Sequence, residues 1–360
     1  MADNAGITVL EPLLGALRQW VYPGEDGPWR QLETDWTAVL ALAERNKCLL
    51  LAAEGMKRAG IPIPPANEGE LRAKREACLL ESMANLGLTA TICSILRTHG
   101  IKAISMKGVL RAHTLYGRWD ARRAHDTDIL VSSADYRSAI DVLAANGFYS
   151  PISDQSKFWH QYLGESPHLP VNGGTIVDLH HKIRQPGTPA PTDIDSLLAR
   201  ARLARVGGRE IPVMSDMDAA MLTASSLGKA LRSGEVWLHY AHELLVVTSA
   251  LDAGQRAEFD DHARKIGVYR LWTFATDLAE ATFRIGREGG GGAPSDAQSR
   301  WMATLLRTDE PQARLGRRSQ LLWKWTDGHV ARPFRFAREF CQVRLGDMRR
   351  HSEEARQGKA

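Results

Sequence analysis

A short strand-like island between two long helical stretches is the feature that most limits how this chain can fold. From about residue 10 to 100 the texture is helical. Leu88, Ile92, Ile95 and Leu96 recur at helical spacing, and Gly100 follows as a stop. Thr34 or Asp35 is placed to cap a helix holding Val39, Leu40 and Leu42. Residues 60–65, one glycine and three prolines among apolar residues, read as a connecting loop. From Met214 the helical period returns, over 216–227, 236–250 and 269–283. Gly289 to Gly292 is a flexible break. Residues 301–307 and 321–343 read as helix, the latter kinked at Pro333, and the charged residues after His351 read as frayed.

The island runs from 101 to 183. Residues 101–106 suit a strand and 109–116 a short helix, with an arginine-rich loop over 117–125. Asp126 to Val131 reads as a strand, with Thr127, Ile129 and Val131 on one face and Asp126, Asp128 and Leu130 on the other. Ser132 or Ser133 caps the next helix, where Tyr136, Ile140 and Leu143 share a face and Gly147 is the stop. Residues 168–171 and 175–180 flank Asn172-Gly173-Gly174, a hairpin signal in which Asn and Gly both take positive φ. Pro170 demotes the first of those runs to an edge strand at best. The expectation is an α+β chain in three parts: an N-terminal helical region over 1–100, a core over 101–213, and a C-terminal helical domain over 214–360.

Charge and cysteine content exclude several classes. The net charge of +4 is small, and the basic residues after Arg300 are interleaved with acids, so a solvated helix face is expected there before a nucleic-acid footprint. The four cysteines, Cys48, Cys78, Cys93 and Cys341, form no C-x-x-C pair and read as reduced thiols. No uninterrupted apolar run of about 18 residues occurs, so no membrane segment is expected. The first six residues lack the basic and apolar regions of a signal peptide, so a cytoplasmic location is expected.

The chemistry lies in the island. Side chains two apart on a strand share a face, so Asp126 and Asp128 bring two carboxylates together, and these repel unless a cation lies between them. Hard oxygen donors suit Mg²⁺ or Mn²⁺. A third carboxylate on a neighbouring strand completes a two-metal site, and Asp178 is the candidate, with His180 facing the same way. The D-x-D pattern occurs twice more, as Asp193/Asp195 and Asp216/Asp218. Both precede helical runs and read as acidic helix starts. Lys107-Gly108 lies between a strand and a helix; spacing alone favours a plain turn with a surface lysine, and the alternative is a phosphate site, where glycine lets the backbone approach and lysine adds charge. Arg122 and Arg123 read either as solvated loop arginines, the commoner case, or as a clamp for a triphosphate. His239, His242 and Glu243 do not match H-E-x-x-H and read as a half-buried helix face. Trp237, Trp272, Trp301, Trp323 and Trp325 read as core before base-stacking residues.

Taken in order, Ile104-Ser105-Met106-Lys107-Gly108, Leu115-Tyr116, Arg122, Asp126-Thr127-Asp128-Ile129-Leu130-Val131, Asn146-Gly147-Phe148 and Val177-Asp178-Leu179-His180 resemble the pattern LKG…LY…R…DIDLLV…GY…VDLH. That pattern belongs to the uncharacterised nucleotidyltransferase family of the DNA-polymerase-β-like superfamily. The resemblance covers residues 101–183. It implies a small mixed-sheet nucleotidyltransferase core and transfer of a nucleotidyl group from an NTP to an acceptor with Mg²⁺. Asp126, Asp128 and Asp178 match the metal-binding, catalytic carboxylates, and Arg122 matches the arginine before them. Lys107 and Gly108 stand where many relatives carry Gly-Ser for phosphate, so the grip on phosphate differs in detail. Thr127 replaces a β-branched apolar residue, and His181 replaces an aromatic one. His180 is read as orienting Asp178 or contacting the acceptor, which is a protein or peptide, an RNA end or a small molecule. The same residues also fit a non-catalytic nucleotide- or partner-binding protein, or a phosphotransferase.

Overall fold

The computed structural model describes residues 4–30, 34–154, 156–183 and 187–284, with a few positions between 337 and 350. The expected features at 289–292, 301–307 and most of 321–343, Trp301, Trp323 and Trp325 among them, lie outside the described residues.

Four helices come first: α1 (Asn4–Arg18), α2 (Trp36–Arg45), α3 (Leu49–Arg58) and α4 (Pro65–Thr98). Asp35 caps α2 by accepting from the Ala38 N–H. Pro65 opens α4, where its missing N–H costs nothing. The island follows as β1 (Ala103–Ser105), α5 (Val109–Tyr116), β2 (Asp126–Val131), α6 (Tyr136–Ala145) and β3 (Phe148–Tyr149). A π-helical turn over Lys157–Leu163 leads to β4 (Glu165–Pro170) and β5 (Ile176–His180). Next come α7 (Ile194–Ala199), β6 (Arg202–Val206) and β7 (Arg209–Val213). The rest is helical: α8 (Asp216–Ser233), α9 (Leu238–Ser249), α10 (Ala253–Lys265) and α11 (Tyr269–Phe283).

The seven strands form one mixed sheet in the order β3-β4-β5-β2-β1-β7-β6. The strand β2 runs parallel to β5 and antiparallel to β1, and β1 runs parallel to β7. Period-two alternation sends Ile129, Val131, Val177 and Leu179 to one face, under α4 and α6. Ile104 and Leu130 go to the other, under α7 and the start of α8. This α+β architecture agrees with the sequence expectation.

Three local details differ from that expectation. The strand β4 is not an edge, because the two-residue β3 pairs beyond it, at Pro170 and Leu169. A proline fits there because it ends its strand, and the ladder with β5 is already over by His168. At the hairpin tip, Gly173 and Gly174 take positive φ and Asn172 does not. The Gly173 N–H closes the turn on the Pro170 carbonyl, so the bend lies one residue earlier than Asn-Gly suggests. Ahead of α6, Asp135 holds the cap position, and Ser132 accepts its N–H.

The helices from the two ends share one core. Leu13, Leu14 and Leu17 of α1 and Leu42 of α2 pack in a single buried cluster with Leu227 of α8, Leu244 of α9 and Leu271 and Phe283 of α11. Arg18, fully buried, donates to the Phe283 carbonyl at 3.3 Å. Trp237 and Trp272 are buried in this core. By length and mean hydropathy α4 is long and apolar enough to cross a membrane. In the fold it lies along β1, β2 and β7, with Ile92, Cys93 and Leu96 buried against the sheet. Cys48, Cys78 and Cys93 are buried and free, and Cys341 is exposed and free.

Candidate metal and nucleotide site

The parallel ladder between β2 and β5 sets Asp128 opposite Asp178 and Leu130 opposite His180. Asp126 lies two residues before Asp128, on the same face of the sheet. Three carboxylates therefore meet, with one oxygen from each of Asp126, Asp128 and Asp178 within 4.8 Å of the others. Asp128 is buried, and the other two are partly exposed.

The surroundings set the three apart. Burial pushes the Asp178 carboxyl up to about 6, with repulsion from Asp128 and Asp126 adding to the effect. Burial and the Asp128 charge raise Asp126 as well. Asp128 goes the other way. Burial disfavours its charge, but Lys107 and His180 outweigh that and hold it well below the usual carboxylate range. Lys107 Nζ lies 3.5 Å from Asp128 Oδ1, and His180 Nε2 lies 3.1 Å from the same oxygen. His180 thus orients Asp128, not Asp178. Its Nδ1 faces Glu165 Oε2 at 3.1 Å. The pair of carboxylates overcomes burial and raises the imidazole to about 9.

The donor set fits a hard divalent cation. Burial, with repulsion between the carboxylates added to it, raises Asp126 and Asp178 above their ordinary range, and a cation among them would relieve that cost. Mg²⁺ or Mn²⁺ suits three carboxylate oxygens better than Zn²⁺, which favours nitrogen and sulfur.

Beside the carboxylates, Lys107-Gly108 makes the turn from β1 into α5. Gly108 has φ 80° and ψ −148°, a conformation open only to glycine, and no side chain caps the helix start. Unpaired N–H groups at a helix start attract anions. Gly108, Arg111 and Arg122 line a cleft whose other wall is Thr223 of α8 with Tyr240 and Glu243 of α9. Arg122 Nη1 is ion-paired with Glu243, a partner 121 residues away. Arg123 is held by Glu81 of α4. Arg111 was not singled out from the sequence. Among the described residues its Nε and Nη2 are buried without a hydrogen-bond partner, and Nη1 reaches Asp216 only at 3.4 Å. The sequence signal was its place three residues after Gly108, on the first turn of the helix.

The other two D-x-D pairs are helix starts. Asp193 caps α7 by accepting from the Ser196 N–H. Asp216 and Asp218 lie in the first turn of α8, capped by Ser215. Asp218 is buried, ion-paired with Arg200 at 2.9 Å and hydrogen-bonded to His262 at 2.7 Å. His242 bonds Tyr116 and the Leu17 carbonyl, and burial lowers it to about 4. His239 is buried in the same helix. Neither joins a metal-ligating group among the described residues.

Three clustered carboxylates on two parallel strands of a mixed sheet, beside a glycine turn at a helix start, make a candidate site for a divalent cation and a phosphate. The chain matches the family model described as an uncharacterised nucleotidyltransferase over residues 33–284, more than half its length, and it belongs to that family. The match takes in α2 through α11, well beyond the island whose motifs carry the resemblance. No curated protein matches the chain.

Proposed function

We propose that the protein moves a nucleoside monophosphate from an NTP to a hydroxyl-bearing acceptor and releases pyrophosphate. The observation that carries this reading is the meeting of Asp126, Asp128 and Asp178 from two strands that are distant in sequence. Asp126 and Asp128 would hold one Mg²⁺ or Mn²⁺, and Asp178 would share a second. Bound divalent ions would neutralise the triphosphate and lower the pKa of the attacking hydroxyl.

The chain's own residues do the rest. The N–H groups at the start of α5, the Lys107 ammonium and the unpartnered Arg111 nitrogens bind phosphate oxygens. Arg122 joins them from its pair with Glu243. The acceptor oxygen attacks the α-phosphorus in line, the bond from Pα to the bridging oxygen breaks, and pyrophosphate leaves. In the alternative to sharing that second ion, Asp178, raised by burial to about 6 and so ionised at neutral pH, takes the acceptor's proton directly.

The test offers a peptide, an RNA end and small alcohols as acceptors, with Mg²⁺ and each NTP labelled at α or γ. The expected result is α-label on one acceptor, a mass gain of one nucleoside monophosphate, and release of pyrophosphate. An acceptor carrying only γ-label overturns the proposal in favour of a phosphotransferase. A nucleotide-dependent thermal shift that survives Asp128→Ala, without pyrophosphate, overturns it in favour of a binding protein.

A further inference from the structure

Glu165 has no part in the sequence reading of the site, yet it lies one strand behind the carboxylates. It opens β4 and stands directly across the antiparallel ladder from His180. His180 is buried between two acids, with Nε2 at 3.1 Å from Asp128 and Nδ1 at 3.1 Å from Glu165. Each ring nitrogen of His180 therefore has one carboxylate as its partner. The result is a chain of three side chains on three adjacent strands, Glu165–His180–Asp128.

We infer that Glu165 is a positioning residue of the metal site: acting through His180, it fixes the rotation of Asp128 so that Oδ1 is engaged and Oδ2 is left for the cation. This rests on the reading of Asp126, Asp128 and Asp178 as metal ligands. Two features support it. First, the contacts from His180 and Lys107 both fall on Oδ1. A carboxylate held at one oxygen cannot swing, and a ligand that is already aimed pays less to bind. Groups that hydrogen-bond a ligating side chain from behind matter to metal affinity for this reason. Second, Glu165 holds the far edge of the ring, so the imidazole is fixed at both nitrogens and does not turn away from Asp128. Lys107 alone would hold Asp128 at 3.5 Å, a looser contact from a flexible side chain.

The test measures Mn²⁺ affinity by titration calorimetry on the purified full chain, with circular dichroism to check folding. Glu165→Ala is expected to weaken Mn²⁺ binding about tenfold. Glu165→Gln is expected to stay within about threefold of wild type, because the amide presents either an acceptor or a donor to Nδ1. Glu165→Asp keeps the charge and the strand position but falls one methylene short, so it is expected to resemble Glu165→Ala. That variant also serves if Glu165→Ala does not fold. His180→Ala is expected to weaken binding as much as Glu165→Ala, and adding Glu165→Ala to it should cost nothing more.

A residue that only braces the sheet predicts additive losses in that double variant, and no rescue by glutamine. Either result overturns the inference. So does wild-type affinity in both Glu165→Ala and Glu165→Asp while Asp128→Ala loses binding, an outcome that leaves the metal-site reading intact. Wild-type Mn²⁺ affinity in Asp128→Ala overturns the metal site itself and the inference with it.

Discussion

The start of β2 and the start of α8 carry the same three-residue pattern and reach opposite electrostatic ends. On β2, a period of two puts Asp126 and Asp128 on one face, and the parallel neighbour adds Asp178 to them. On α8, residues two apart diverge by about 200° around the axis. Asp218 turns inward to Arg200, His262 and Ser215, and Asp216 turns outward to Arg111 and Arg202. Burial raises Asp126 and Asp178 but fails to raise Asp218, which hydrogen bonds from His262, Arg200 and Ser215 bring down to about 2. On the sheet face only Asp128 finds basic partners, Lys107 and His180, and the carboxylates crowded beside it are left raised; on the helix Asp218 and Asp216 diverge and each finds its own.

Substitutions at the two places should separate function from stability. Asp126→Asn removes one ligand charge with little change of shape. It should reduce transfer on the order of 10³-fold, the several kcal/mol of transition-state stabilisation that a bound divalent ion supplies, as read by pyrophosphate release. Asp218→Ala leaves Arg200 and His262 facing a buried gap. It should cost about 3–5 kcal/mol, a fall of ~10 °C in Tm, with Mn²⁺ affinity unchanged. Loss of metal binding in Asp218→Ala with the fold intact would break the comparison.

Titration sharpens it further. Asp178 must lose its proton to bind metal, so apparent Mn²⁺ affinity should fall about tenfold per pH unit below 6 and level off above. The His180 imidazole is raised from 6.5 to about 9, so its contribution to stability is complete below 6.5 and lost as pH rises through 9. In EDTA, Tm should drop by several degrees across that window, and Glu165→Ala should flatten the drop. The smallest effect carries an informative sign. In metal-free buffer, Asp126→Asn should leave stability unchanged or raise it by up to ~1 kcal/mol, because it removes a repulsion, whereas Asp216→Ala, on an exposed pair, should lower it by no more than ~1 kcal/mol.

What the sequence disclosed follows the same logic. The bounds of β2 and α5 were legible because their patterns are local: alternation for one, glycines at both ends for the other. The carboxylate trio was legible because Asp178 shares its face with His180 on a strand marked by a hairpin signal. The β6–β7 hairpin was missed although Gly207-Gly208 marks its turn, because Arg202 to Val206 is half exposed and lacks a clean apolar alternation. Helix α10 was missed because only Phe259 and Ala263 are buried, although Asp252 and Gln255 form a capping box. The partners of Arg122 and His180 were out of reach for another reason. Glu243 and Glu165 reach them only through the sheet and the helical layer, and no spacing rule connects those positions.

The shared core of the terminal helices has a consequence for how the protein is made. Arg18 and the Phe283 carbonyl it contacts are 265 positions apart. At 5–20 residues per second, a ribosome leaves the first helices waiting roughly 13–50 s for the segment that covers them. Through that interval Leu13, Leu14 and Leu17 lack the neighbours that α8, α9 and α11 supply, so chaperone capture during translation should fall on α1.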